Sequence, residues 1–197
     1  NNPFDMTMLE KGYDEKAILD EYGIDQDSII FSCIGRIKES KGVKFIVESF
    51  LRNKNERSVL LVFGHGDPGS GYEQECREAA SSDPRIRLMG EERDIAKVYR
   101  ISDYIVRGDP WHLIGRTVFE GLYSGCDVIL PGASTDLDGN PDLKEFSPKV
   151  HLYPARNQQA LSEIIGGLTG KIKNRKFRSN VEDYVDRFDK FIRKLVS

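Results

Sequence analysis

Short runs of nearly unbroken apolar residues recur along the chain, each followed by a stretch with helical spacing, and this alternation limits the fold more than any other feature. The runs cover residues 29–34, 58–63, 86–89, 104–106, 127–130 and 150–153. The helical stretches cover residues 43–51, 71–80, 93–100, 115–124 and 160–168, with one more at 15–22 ahead of the first run. A strand that faces water on one side alternates polar and apolar residues. A strand that is apolar throughout is covered on both faces, which a parallel sheet flanked by helices provides. The pattern therefore predicts an α/β fold, a Rossmann-like doubly wound parallel sheet. At 197 residues the chain is long enough to bury such a core in one domain without disulfide staples.

Ligands of these sheets bind beyond the carboxyl ends of the strands. Three conspicuous loops follow strands directly and so share that edge: the one that starts at Gly35, the run Gly64-His65-Gly66-Asp67-Pro68-Gly69, and residues 108–112. The first carries Arg36 and Lys41 and leads through Gly42 into a helix. Arg36 offers a planar fork of donors and Lys41 a mobile point charge, a pairing suited to a diphosphate. The helix start adds backbone N–H groups and positive dipole density at the same place. The third loop runs through His112-Leu113-Ile114 into Gly115-Arg116-Thr117-Val118-Phe119-Glu120. Gly115 lets backbone come close to a ligand, the helix after it points N–H groups the same way, and Glu120 in its second turn can accept hydrogen bonds from a vicinal diol such as ribose.

The formal charge of −3 gives no electrostatic case for nucleic-acid or membrane binding by the fold as a whole, so any anion site is local. Cys33, Cys76 and Cys126 stand singly, without the spacing of a metal or redox motif, which fits a reduced, cytosolic setting. No apolar run approaches the roughly 20 residues needed to cross a bilayer. The opening Asn1-Asn2-Pro3-Phe4 reads as a loop entered mid-protein, so the chain is expected to be the later part of a longer polypeptide. Val181, Tyr184, Val185, Phe188, Ile192 and Leu195 repeat at helical spacing, and residues 178–197 are expected to form an amphipathic helix packed on a partner surface. Asp136-Leu137-Asp138 has the form of a metal-binding Asp-x-Asp or the start of a calcium loop. Its glycine comes two places early and no glutamate closes the loop, so a solvated turn is the better reading.

Taken in order, the motifs resemble the donor-binding, carboxy-terminal domain of retaining GT-B glycosyltransferases of the family 4 type. The matching pieces are Gly35-Arg36 with Lys41-Gly42, then Gly64-His65-Gly66-Asp67-Pro68, Gly90, Ser102-Asp103, and His112-Leu113-Ile114-Gly115 with Glu120-Gly121-Leu122-Tyr123-Ser124-Gly125. The resemblance implies that all of residues 1–197 form a nucleotide-sugar-binding domain, one half of a GT-B architecture whose amino-terminal acceptor domain is absent. It implies transfer of a hexosyl-type sugar from a nucleotide-sugar, a UDP-sugar by family frequency, to a glycan or lipid-linked acceptor in surface-polysaccharide or lipopolysaccharide assembly. The setting would be cytoplasmic, with peripheral contact at the inner face of the plasma membrane through the missing domain.

The resemblance also assigns roles. Arg36 and Lys41 hold the diphosphate, helped by backbone near Gly115, Arg116 and Thr117. Glu120 holds the ribose, and the base lies near Arg87 to Glu91, Met89 and Gly90 among them, read largely by backbone groups. Gly35, Gly64, His65 and Gly66 line the cleft, His112 faces the transferred sugar, and Leu113 and Ile114 count among the substrate-binding residues, with His112 and Glu120 as the catalytic pair. No cofactor or metal is expected, because cations and a helix terminus neutralise the leaving diphosphate. Two positions depart from the family. His112 stands where a glutamate is usual, and Gly108-Asp109 where Pro-Ser is usual. Histidine hydrogen-bonds but brings no fixed negative charge. A non-catalytic module, with nucleotide binding kept or lost, is the competing reading, and an epimerase-like member of the same fold that binds the same nucleotide is a third.

Overall fold

A computed structural model of the protein describes residues 9, 11–132, 137, 141–172 and 181–195. Strands β1 (Ile29–Ile34), β2 (Ser58–Phe63), β3 (Ile86–Gly90), β4 (Tyr104–Val106), β5 (Asp127–Gly132) and β6 (Val150–Pro154) form one sheet in the order β3-β2-β1-β4-β5-β6, with every neighbouring pair parallel. Between and around them lie α1 (Glu15–Glu21), α2 (Val43–Phe50), α3 (Tyr72–Ala80), α4 (Ile95–Ile101), α5 (Arg116–Tyr123), α6 (Pro141–Lys144), α7 (Gln158–Gly167) and α8 (Val181–Leu195). Each strand expected from the apolar pattern, and each expected helix from α1 to α7, is present with bounds within two residues, inside the usual uncertainty of element ends. The short α6 and the single helical turns Glu39–Lys41 and Ser147–Lys149 carry too few residues for a period to register in the sequence.

The alternation of side chains along each strand explains why the runs are apolar throughout. Phe31 and Cys33 of β1 and Leu60 and Val62 of β2 pack against Val43, Ile46 and Val47 of α2, and against Leu161 and Ile165 of α7. The intervening Ile30, Val59, Leu61 and Phe63 point the other way, onto Ile18 and Leu19 of α1 and Val98 and Ile101 of α4. On that second face Ile105, Val128 and Leu130 meet Val118, Phe119 and Leu122 of α5. Each such side chain contributes about 1.5–3 kcal/mol when buried, so exposing either face is unfavourable. Asp103, fully buried before β4, accepts the Ile30 N–H through Oδ2 and the Ile172 N–H through Oδ1, both at 2.8 Å. The family-like Ser102-Asp103 pair thus has a structural task, tying the centre of the sheet to the chain that leaves α7.

Helix α8 has the amphipathic character read from the sequence. Val185, Phe188, Phe191, Ile192 and Leu195 are all exposed on it. The side chains of Val181 and Tyr184, residues 178–180, the Asp136 and Asp138 pair and residues 1–5 lie outside what the structure describes. No helix among the described residues is long and apolar enough to cross a membrane.

The strand order places β1 between β2, which precedes α3, and β4, which leads to α5. The connections leaving β1 and β4 diverge there, and this switch point is where a sheet of this order opens a crevice for a ligand.

Candidate functional site

Because the sheet is parallel throughout, the loops after β1, β2, β3 and β4 all emerge on one edge. Two glycine contacts hold them together. Gly64 has φ 138°, and a Cβ on it would lie 1.9 Å from the carbonyl oxygen of Gly35. Around that contact the Gly35 N–H donates to Phe63 (3.0 Å), the Ile37 N–H to His65 (2.9 Å) and the Gly64 N–H to Gly90 (2.7 Å). The predicted residues Gly35, Gly64, His65, Gly66 and Gly90 therefore form one continuous backbone surface. Across the switch point, Gly42 has φ 61° and a Cβ there would lie 1.8 Å from the carbonyl oxygen of Gly108. The loops that carry Lys41 and Asp109 are in backbone contact.

A cavity of about 210 Å³ opens on the β2–β3 side, lined by Gly35, Arg36, Gly64, His65, Glu91, Glu92 and Ile95 over a floor of Ile34 and Phe63. Arg36 is well exposed and sits 3.4 Å from Asp67 Oδ1, while Lys38 Nζ lies 2.5 Å from Asp67 Oδ2. The Lys38 hydrogen bond, with the nearby charges of Lys38 and Arg36, holds the Asp67 carboxyl below its usual range. Exposed ion pairs of this kind contribute little, so the Arg36 guanidinium is free to exchange Asp67 for an incoming anion. Glu73 turns back to accept the Gly66 N–H at 2.6 Å, and that bond, with Arg77, keeps its carboxyl acidic. His65 faces Glu91 at 3.6 Å in the open.

Met89 packs partly against the α1–α4 core, so its contribution to the edge is backbone. The neighbouring Arg87 donates to the Tyr22 and Gly23 carbonyls and secures the end of α1. The groups presented to a base are accordingly those from Met89 to Glu92. Glu92 itself accepts from Tyr22 Oη at 2.7 Å and from the Asp94 N–H at 2.8 Å.

On the β4 side the structure reveals a pair that sequence reasoning passed over. Asp109, with a fully buried side chain, takes Arg107 Nε (2.8 Å) and Nη2 (2.7 Å) on Oδ2, and Lys41 Nζ lies 3.3 Å from its Oδ1. Arg107 Nη1 reaches Thr117 Oγ1 at 2.7 Å. A Cβ on Gly115 would lie 2.5 Å from Arg107 Nη1, so the close approach that this glycine permits is first of all that of Arg107. Gly115 caps α5 without a side-chain hydrogen bond. Leu113 is exposed, Ile114 packs partly on the α5 core, and His112 stands in the open beside an exposed Trp111. His112 is therefore not a packed core imidazole.

Glu120, mostly buried, accepts from Tyr99 Oη at 2.7 Å on Oε2 and pairs with Arg116 Nε at 2.9 Å on Oε1. It is held in a fixed rotamer, which a solvated surface carboxylate would not be. Burial, reinforced by the Glu120 charge, pushes the Tyr99 hydroxyl far up, so Tyr99 stays a donor. The cysteines offer no nucleophile: burial lifts Cys33 to about 12 and Cys76 to about 11, and Cys126 is buried. Of the residues missed, Arg107 and Asp109 left one trace in the sequence, opposite charges two apart at the end of an apolar strand. Tyr99 left none.

A family model described as glycosyl transferases group 1 matches residues 28–171. An uncharacterized glycosyltransferase of Methanocaldococcus jannaschii is 28% identical over 142 residues, covering 71% of this chain and 34% of that protein. Among solved structures, Anabaena HepE in complex with UDP and glucose superposes with a TM-score of 0.76 at 17% identity, covering 97% of this chain and 55% of that one. The C-terminal domain of a group 1 glycosyl transferase, LpcC, from Francisella tularensis gives a TM-score of 0.67 at 18% identity, covering 84% of this chain and 87% of that one. The chain thus spans about a third to a half of the longer proteins it is similar to. The fold is the Rossmann-like α/β fold of GT-B glycosyltransferase structures, and with the family model covering most of its length the chain belongs to the group 1 glycosyl transferases.

Proposed function

We propose that the chain is the donor-binding domain of a retaining glycosyltransferase that takes a UDP-hexose. The observation that carries the reading is that Lys41 is linked to the start of α5 at the switch point of the sheet, through Asp109 and Arg107, while Arg36 stands on the same loop edge beside Asp67. The UDP and glucose bound by HepE, which has the same fold, support the choice of donor. In this reading the base enters the cavity beside Gly64 and Glu91, and Glu120, oriented by Tyr99 and Arg116, accepts from the ribose diol. The diphosphate lies between Arg36 and Lys41 at the α5 terminus. When the anomeric carbon–oxygen bond breaks, the electron pair stays with the diphosphate, and these donors stabilise the charge where it develops. His112 and Leu113, on the exposed loop before α5, face the transferred sugar. The acceptor, a glycan or lipid-linked glycan of surface polysaccharide or lipopolysaccharide, is supplied from outside this edge by an amino-terminal domain. We assign the protein to the cytoplasm, at the inner face of the membrane through that domain.

The experiment is calorimetric titration of the wild type and Arg36→Ala with UDP and with uridine. Losing a charge-assisted partner costs about 1.5–3 kcal/mol, on the order of ten- to a hundred-fold in affinity. Arg36→Ala is expected to weaken UDP by that factor and to leave uridine within two-fold. Equal loss for both ligands would remove Arg36 from the diphosphate.

A further inference from the structure

We propose that Arg107 and Asp109 act as a buried positioning bridge that sets Lys41 and the first turn of α5 against the diphosphate. The proposal rests on the nucleotide reading above. It starts from four contacts in series: Lys41 to Asp109 Oδ1 (3.3 Å), Asp109 Oδ2 to Arg107 Nε (2.8 Å) and Nη2 (2.7 Å), and Arg107 Nη1 to Thr117 Oγ1 (2.7 Å). The series begins on the loop after β1, runs through Asp109 and Arg107 of the loop after β4 and ends in α5. It spans the switch point and joins both elements that supply positive charge to the site.

The side chain of Asp109 is 0% exposed and that of Arg107 only 9%. Burying two charges is costly unless geometry and further hydrogen bonds compensate, so a chain keeps such a pair only where it is closely matched. The match is good here, because the planar guanidinium takes one carboxylate oxygen with two donors and turns a third donor to Thr117. With Nε, Nη1 and Nη2 all engaged and the tip pressed against Gly115, Arg107 is arranged to hold its neighbours rather than to meet the ligand.

Asp109 does the same for Lys41. An ammonium group on a four-carbon stem loses considerable rotamer freedom when it binds a phosphate, and a fixed carboxylate beside it removes part of that cost in advance. One of the three Nζ donors points to Asp109, and two remain for an anion. Lys41, Asp109 and Arg107 together leave one net positive charge, so the bridge orders the cation without cancelling its attraction. A lysine alone would serve as a diffuse surface charge; tied to Asp109 it has a defined position relative to α5.

The test uses the 197-residue chain titrated with UDP, inorganic pyrophosphate and uridine. The double variant Arg107→Met/Asp109→Asn removes both buried charges at once, so neither is stranded. It is expected to bind uridine within two-fold of wild type and to lose ten-fold or more for UDP and pyrophosphate. Arg107→Lys, which keeps the charge but lacks the fork, is expected to lose UDP affinity as well. Unchanged UDP affinity in the double variant, or equal loss for UDP and uridine, overturns the bridge. If the double variant does not fold, Thr117→Val decides, since it removes only the anchor on α5: a three-fold or greater loss for UDP with uridine unchanged supports the bridge, and no loss overturns it. A wild type that binds neither UDP nor pyrophosphate would defeat the nucleotide reading and the bridge together. A wild type that binds both, beside variants equal to it, would defeat the bridge alone.

Discussion

Residues 1–197 on their own are expected to bind UDP and to transfer no sugar. The candidate groups lie on a single edge of a single sheet, and the chain spans 55% of the length of HepE, whose fold it shares. Transfer needs an acceptor hydroxyl held within van der Waals reach of the anomeric carbon, and positioning of that kind can be worth about 7 to 11 kcal/mol of barrier. Losing most of it would slow turnover by five orders of magnitude or more, on the order of ten-fold per 1.4 kcal/mol. The exposed apolar residues Val185, Phe188, Ile192 and Leu195 on α8 agree with a chain that meets a further surface. Labelled UDP-glucose, incubated with lipid-linked acceptors, should yield no labelled glycan with residues 1–197. A polypeptide extended to the length of the relatives should yield it. Acceptor-dependent transfer by the short chain would refute the two-domain account.

Replacing Gly42 by alanine is expected to destabilise the domain strongly. Gly42 has φ 61°, where a residue with a Cβ is strained by roughly 1–2 kcal/mol. The added Cβ would also lie 1.8 Å from the Gly108 oxygen and 2.5 Å from its carbonyl carbon, and these are backbone atoms with no rotamer to yield. The β1 and β4 loops must part, at a further cost of about 1–3 kcal/mol by analogy with overpacked cores. In a domain of this size roughly 3 kcal/mol lowers the melting temperature by about 10 °C. Gly166→Ala is the control: it sits exposed on α7, nothing lies within 4 Å of the added carbon, and its φ is not positive. Alanine there should raise the melting temperature slightly, because glycine inside a helix is unfavourable by roughly 0.5–1 kcal/mol. Thermal unfolding followed by circular dichroism checks both, and a Gly42→Ala protein as stable as wild type would show that the two loops do not press together.

How much of this was legible in the sequence follows from what is local. The strands were, because burial on both faces writes an unbroken apolar run such as Val59 to Phe63 into consecutive positions. Helices α2 and α5 were, because their apolar stripes repeat within eight residues. The predicted site residues from Gly35 to Glu120 emerge on the same edge because a parallel sheet puts every strand's carboxyl end there. The partners were not legible. Lys41 meets Asp109 across 68 positions and Arg36 meets Asp67 across 31, and nothing near either cation indicates which carboxylate it faces. Gly115 was read as room for a ligand, while the structure fills that room with Arg107. The Tyr99 hydroxyl that orients Glu120 comes from α4, 21 positions away, and looks in sequence like any core aromatic.

Hydrogen exchange of the chain with and without UDP tests the central claim most directly, since it reports both binding and its place. The account predicts slowed exchange confined to the carboxyl edge, at residues 35–42, 64–66, 89–92 and 112–120, with no change at the opposite edge around Asp127 and His151. Absence of protection at saturating UDP, or protection centred on the Asp127 edge, would contradict it.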